Sequence, residues 1–292
     1  MPANDPQTTL RLDEGLRKMQ FKTLSIMMVI AVGSVVAADA QAVYVTISDA
    51  NSSVTIDPDG TAADGVADWT VDGVDHLALM GFWYRLSTDT AESPVNSLPK
   101  VFQSGGAGFD FLTVAYANSD VDIEVTYLLN GSPIGSMESD LQVAVTITNL
   151  TQDNLAIDFF QYADFDLNQT PNAETVEIIG AGNTARQIDA NGFEISETVT
   201  GPTPDLSEVG LGGAGGALWN KLNDSDIDDL DGGTGPLVGD AAWGFQWSFD
   251  IPAGQSRNIG KDLLILVPEP ATMVLFGLGA VTMLSARRRK NA

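Results

Sequence analysis

The sequence predicts an all-β protein, an antiparallel β-sandwich, either one large sandwich or a double one. Three observations carry this. Short apolar stretches recur from residue 43 to residue 267 at intervals of roughly 8–12 residues, the spacing of sandwich strands. The clearest of them alternate apolar and polar residues with period two. The segments between are rich in Gly, Asn, Asp and Pro, which favour turns.

Taken in order, 43–47 and 53–56 read as a first pair, followed by a turn at Asp57, Pro58, Asp59 and Gly60. Residues 77–86 place Phe82, Trp83 and Tyr84 side by side, which fits a strand buried on both faces. Strands at 111–116 and 122–129 are expected to pair across 117–120, and Asn130 with Gly131 reads as a turn. In 141–149, Leu141, Val143, Val145 and Ile147 share one face, and Gln142, Ala144, Thr146 and Thr148 share the other. Residues 155–166 return with Phe159, Phe160, Tyr162 and Phe165, and shorter strands follow at 176–179, 185–188 and 193–199. A last pair is expected at 242–251 and 257–267, with Trp243, Phe245, Trp247 and Phe249 on the core side. Between them, 200–240 reads as a Gly- and Asp-rich surface insertion. Its glycines from Gly210 to Gly216 disfavour a helix over 206–220.

Both ends carry targeting signals. Residues 19–42 have the layout of a signal peptide: Lys22, an apolar run over 24–36, and small residues at Ala40-Gln41-Ala42 or Ala38-Asp39-Ala40 for cleavage. Residues 1–18 form a polar extension. It is either a mis-called start, with translation from Met19, or a long leader before the signal helix. At the other end, Pro268, Glu269 and Pro270 precede an uncharged run over 271–286, closed by Arg287, Arg288, Arg289 and Lys290. Sixteen residues of helix reach roughly 24 Å, and the terminal cations can snorkel to cover the rest of the ~30 Å hydrocarbon core. One C-terminal transmembrane helix is therefore expected.

Over about 267–290, within a C-terminal segment 267–292, this layout resembles the PEP-CTERM sorting signal of Gram-negative bacteria. The resemblance implies recognition and processing by an exosortase, an integral-membrane cysteine protease-transpeptidase. It further implies export across the inner membrane, anchoring by the C-terminal helix, and delivery to the cell envelope or extracellular matrix among exopolysaccharide. It covers the tail alone and assigns nothing to the exported domain, 43–266.

That domain holds six basic residues against 34 acidic ones, a formal charge of −28. Such a surface repels nucleic acid and attracts divalent cations or basic partners. With no cysteine, thiolate catalysis, Cys-ligated zinc and iron–sulfur sites are excluded. About 224 residues can bury a full core without disulfides.

Catalytic constellations are sparse. His76 is the single histidine, which rules out a multi-histidine zinc site; a Ser-His-Asp triad would have to use it, and with no Gly-x-Ser-x-Gly elbow a solvated or core-edge histidine is the better reading. No catalytic residue is assigned and the chain is expected not to be an enzyme. Carboxylates invite a different use. Asp224, Asp226, Asp228, Asp229 and Asp231 crowd one short stretch, the chemistry of a Ca²⁺ site, although Asp229 stands where an EF-hand needs glycine. A solvated acidic loop is the alternative, and Asp57, Asp59 and Asp64 form a weaker candidate. Asp164 and Asp166, on one strand face beside Tyr162, would repel unless a cation or sugar sits between them. With Trp219 as an exposed platform they are the candidate ligand contacts.

The reading is an exported, structural or adhesive envelope protein associated with exopolysaccharide, with calcium as the one candidate cofactor. The alternative is a carbohydrate-binding or glycoside hydrolase-like domain.

Overall fold

Alternating side chains form the core in the way the pattern requires. The computed structural model describes residues 43–60, 65–169, 174–213 and 215–266. The expected signal peptide (19–42), sorting residues Pro268, Glu269, Pro270, Arg287, Arg288 and Arg289, helix 271–286 and Asp64 lie outside the described residues. Among the described residues no helix is long and apolar enough to cross a membrane.

The first strands are β1 (Val45–Asp49), β2 (Ser52–Ile56), β3 (Gly65–Val71), β4 (Val74–Asp75), β5 (Leu77–Leu86) and β6 (Ser93–Pro94). Then come β7 (Lys100–Gly105), β8 (Phe111–Ala117), β9 (Val121–Gly131), β10 (Ser139–Asn149) and β11 (Leu155–Phe165). Next are β12 (Glu174–Ile179), β13 (Thr184–Ile188), β14 (Glu194–Gly201) and β15 (Leu206–Leu211). The helix α1 (Ala217–Asn223) precedes β16 (Leu237–Gly239), β17 (Ala241–Ile251) and β18 (Ser256–Leu266). They make two nine-stranded antiparallel sheets. Sheet A runs β1-β2-β3-β5-β11-β17-β15, with β4 on β3 and β6 on β5; sheet B runs β16-β12-β13-β14-β18-β10-β9-β8-β7. The expected β-sandwich is what forms.

The inner faces meet as predicted. Leu141, Val143, Val145 and Ile147 of β10 are buried beside Ile123, Val125, Tyr127 and Leu129 of β9 and Ile259, Leu263 and Ile265 of β18. Opposite them, sheet A supplies Trp69, Phe82, Phe159, Phe165, Trp243, Phe245 and Trp247. Phe165 stacks on Trp243 with ring centroids 5.4 Å apart. One ion pair is enclosed by this core: Lys261 Nζ lies 3.0 Å from Glu197 Oε1, and both side chains are fully buried. From sheet A, Gln161 Nε2 and Trp243 Nε1 each donate to Glu197 Oε2 at 2.7 Å, so the pair pins the two sheets together.

Two expectations need correcting. Asn130 and Gly131 do not make the turn; they end β9, and the chain reverses over 132–138. Glycine is required at 131 because a Cβ there would sit 2.0 Å from the Asp49 carbonyl oxygen. The second concerns 200–240, which is not a plain surface insertion. β15 forms the edge of sheet A against β17, and α1 begins directly after Gly216, where the glycine run stops. The reason lies beneath it. Trp83, Phe160, Tyr162 and Ala242 project from the outer face of sheet A and must be covered, and Leu218, Leu222 and Leu230 cover them. Burying a leucine is worth about 1.5–3 kcal/mol, so three of them hold this outer layer down.

Candidate functional site

Along the outer face of β11 the side chains read Asp158, Phe160, Tyr162, Asp164: a carboxylate, two aromatics and a second carboxylate. The aromatics belong to the small core under α1. Each carboxylate stands at one end of it, some 20 Å apart at about 3.4 Å per residue.

At the Asp158 end the charge is compensated. Arg85 of β5, over the ring of Phe160, pairs with Asp158 at 2.6 Å, with Asp229 at 2.8 Å and with Glu92. The guanidinium holds the Asp229 carboxyl below the ordinary carboxylate range. Nearby, Lys221 of α1 pairs with Glu208 and Asp231. The acidic stretch predicted as a calcium loop is thus distributed. Asp229 serves Arg85, Asp231 serves Lys221, and Asp224 Oδ1 accepts a turn hydrogen bond from the Asp226 N–H. Asp228 contributes its backbone, with its carbonyl accepting from Arg85 and its N–H donating to Glu92. Asp57 and Asp59 also do local work, since Asp57 Oδ1 accepts from the Asp59 N–H and Asp59 pairs with Lys100.

The Asp164 end is different. Asp164 Oδ2 accepts from the Tyr162 hydroxyl at 2.9 Å and from the Gly213 N–H at 2.6 Å, while Oδ1 is buried with no hydrogen-bond partner among the described residues. Asp164 and Asp166 come close to one another, as expected, although Asp166 is not itself a strand residue. The ladder with β5 shifts register after Asp164, and Asp166 lies just past β11, its N–H donating to the His76 carbonyl. Asp240, which carried no sequence signal, arrives from the link between β16 and β17. The three carboxylates come together with donor oxygens no more than 4.8 Å apart, a grouping that could hold a metal ion. Burial, then the charges of Asp164 and Asp240, push Asp166 up to about 6. Burial likewise raises Asp164, and Glu174 behind it is pushed up to about 8.

Of the predicted ligand contacts, Tyr162 is a buried core residue whose hydroxyl orients Asp164. Trp219 is not an exposed platform. It is half-buried, edge-on to Trp83 at 5.6 Å and Tyr162 at 5.4 Å, because α1 needs an apolar underside. His76 is fully buried; its Nδ1 accepts from the Asn168 N–H, and burial pushes it down to about 4, so it is neutral at pH 7.

A concave feature lies on the outer face of sheet B. A groove of about 480 Å³ is lined by Thr126, Gln142, Thr200, Gly260 and Asp262 among others. Burial, followed by the neighbouring Asp262 carboxyl, pushes Asp140 up to about 6.

Known structures share the fold. A bacterial glucoamylase complexed with acarbose superposes at a TM-score of 0.51 and 8% identity, over 82% of this chain and 36% of that one. This chain thus spans about a third of the glucoamylase. The Slr1438 protein from Synechocystis sp. PCC 6803 gives 0.51 at 12% identity, covering 78% of this chain and 97% of that one. A putative aldose 1-epimerase from Escherichia coli K12 gives 0.47 at 9% identity, covering 76% and 98%. At such identities the likeness is of fold alone. No curated protein sequence matches the chain. Residues 266–290 match the family model of the PEP-CTERM protein-sorting motif, so this is an exported-type chain carrying a PEP-CTERM signal, consistent with an exosortase substrate.

Proposed function

We propose that the chain is a non-enzymatic envelope or matrix protein, released from its membrane anchor by an exosortase-type enzyme. Its sandwich then engages extracellular polysaccharide in a structural or adhesive role. The observation that carries the binding half is the groove on sheet B. Its hydroxyls, carboxamide and carboxylate, from Thr126, Thr200, Gln142 and Asp262, are the donor and acceptor types that hold sugar hydroxyls. Likeness of fold to a glucoamylase solved with acarbose supports the same class of ligand.

Catalysis is disfavoured by the groove's own lining. Glycoside hydrolysis needs two carboxyl groups roughly 5–9.5 Å apart across the bond. Among the described residues that line the groove, Asp262 is the one carboxylate, so the second group is not supplied there. The test is retention of the purified chain on immobilised extracellular polysaccharides, beside Gln142→Ala and Thr200→Val variants. Binding is expected to weaken about tenfold in each, as for one lost polar contact. Equal retention of both variants rejects the groove, and sugar release from the polysaccharide rejects the non-enzymatic reading. Deleting 268–290 is expected to change the fraction in which the chain is found; unchanged fractionation would reject sorting.

A further inference from the structure

We propose that Asp164, Asp166 and Asp240 form a calcium site that fastens the outer layer onto sheet A. Two segments meet there: the end of β11 with the residue beyond it, and the link that enters β17. Their donor oxygens lie within 4.8 Å of one another, and Ca²⁺, with bonds of ~2.3–2.6 Å, spans about that separation between donors on its two sides. Independently of the cluster, Asp164 is 3% exposed, and its Oδ1 is a buried acceptor that no donor among the described residues reaches. That oxygen points into the cluster. A Cβ placed on Gly212 would lie 2.7 Å from Asp164 Oδ1 and 2.8 Å from Asp240 Oδ1, so both face one point beside the glycine backbone.

Among the described residues no basic side chain pairs with any of the three carboxylates. A buried carboxylate held among like charges is unfavourable unless a cation balances it. An all-oxygen donor set selects hard cations over zinc or copper. Three carboxylates from irregular backbone suit calcium, which takes six to eight oxygens flexibly; magnesium demands a near-ideal octahedron and uses one or two carboxylates. Gly213, which donates to Asp164, and Asp240 bracket the stretch that carries α1. One ion would therefore hold both ends of the covering layer.

The experiment is a Tb³⁺ titration of the full chain in detergent, exciting Trp219 and Trp83, whose rings lie beside Tyr162. Saturable sensitised emission is expected, displaced by Ca²⁺ and poorly by Mg²⁺. Asp164→Asn is expected to abolish it, and Asp240→Asn to weaken it by about tenfold or more through loss of one charged ligand. Asp240 is the most exposed of the three, so its variant keeps the test usable if Asp164→Asn misfolds. Equal emission and midpoint in both variants would mean diffuse binding to the acidic surface and overturns the site. Proteolysis between Gly213 and Asp240 should accelerate under chelator; identical cleavage with and without Ca²⁺ also overturns it.

Discussion

The two ends of β11's outer face each gather three carboxylates, and they resolve the repulsion differently. Around Arg85, the carboxylates of Glu92, Asp158 and Asp229 share a guanidinium, and Asp229 is held below its ordinary range. Around Asp164, no cation is supplied by the described residues, and Asp164 and Asp166 are both raised. The same strand and face thus end in different electrostatics: Arg85 holds Asp229 down although burial still raises Glu92, whereas Asp164 and Asp166 are raised with no such cation among the described residues. What differs is whether a neighbouring strand delivers a cation, which β5 does through Arg85 at one end. A third case lies inside the sandwich, where Lys261 compensates Glu197 without solvent.

The largest effect is expected where compensation is most deeply buried. Lys261→Met leaves the Glu197 carboxylate buried and unpaired, which should cost roughly 3–5 kcal/mol in urea unfolding. Adding Glu197→Gln should recover part of that loss, and a double variant no better than the single would show that the pair does not act as a unit. Arg85→Met comes next. It strips a partner from three carboxylates, two of them partly solvated, and should lower stability by roughly 2–3 kcal/mol. A loss within experimental error would mean that the carboxylates relax into water and the contrast with Asp164 is only apparent.

The sharpest test of the comparison is smaller in size. In chelator, Asp164→Asn keeps an acceptor for Tyr162 and Gly213 while removing a charge, and should stabilise by about 1 kcal/mol. In Ca²⁺ the order should reverse, with the parent chain the more stable. Parallel shifts in the two conditions would remove the contrast between the clusters. The smallest effect concerns Asp140, whose folded value is pushed up to about 6. A carboxyl raised on folding binds its proton more readily in the native state, so stability falls as pH rises from about 4 through 6. Asp140→Asn should accordingly raise the melting point by about 1–3 °C at pH 8 and leave it nearly unchanged at pH 4. An equal rise at both values would assign the effect to packing.

Much of the fold was legible because its signal is local. In β10 and β17, period-two alternation named the buried face residue by residue, and the double burial of β5 showed in the adjacent Phe82, Trp83 and Tyr84. β3 and β15 escaped notice because neither alternates cleanly, as their burial patterns show. Among the site residues, Tyr162, Asp164, Asp166 and Trp219 could be named from composition, and they do gather in one region. Asp240 could not, because it stands 74 residues beyond Asp166 with nothing in its neighbourhood to mark it. The five aspartates of 224–231, close in sequence, go to different partners, because nearness in sequence does not fix which way each side chain turns.

By itself, then, the sequence determined the sandwich class, the main core faces, the acidity of the exported part and the sorting tail. These follow from periodicity, composition and a contiguous motif, all of which are short-range properties. Only the tertiary structure decided which carboxylates are paired. Compensation depends on whether Arg85, Lys221 or Lys261 arrives from another element within about 4 Å, the reach of an ion pair. That is a matter of strand order and register, which no local pattern in the chain encodes.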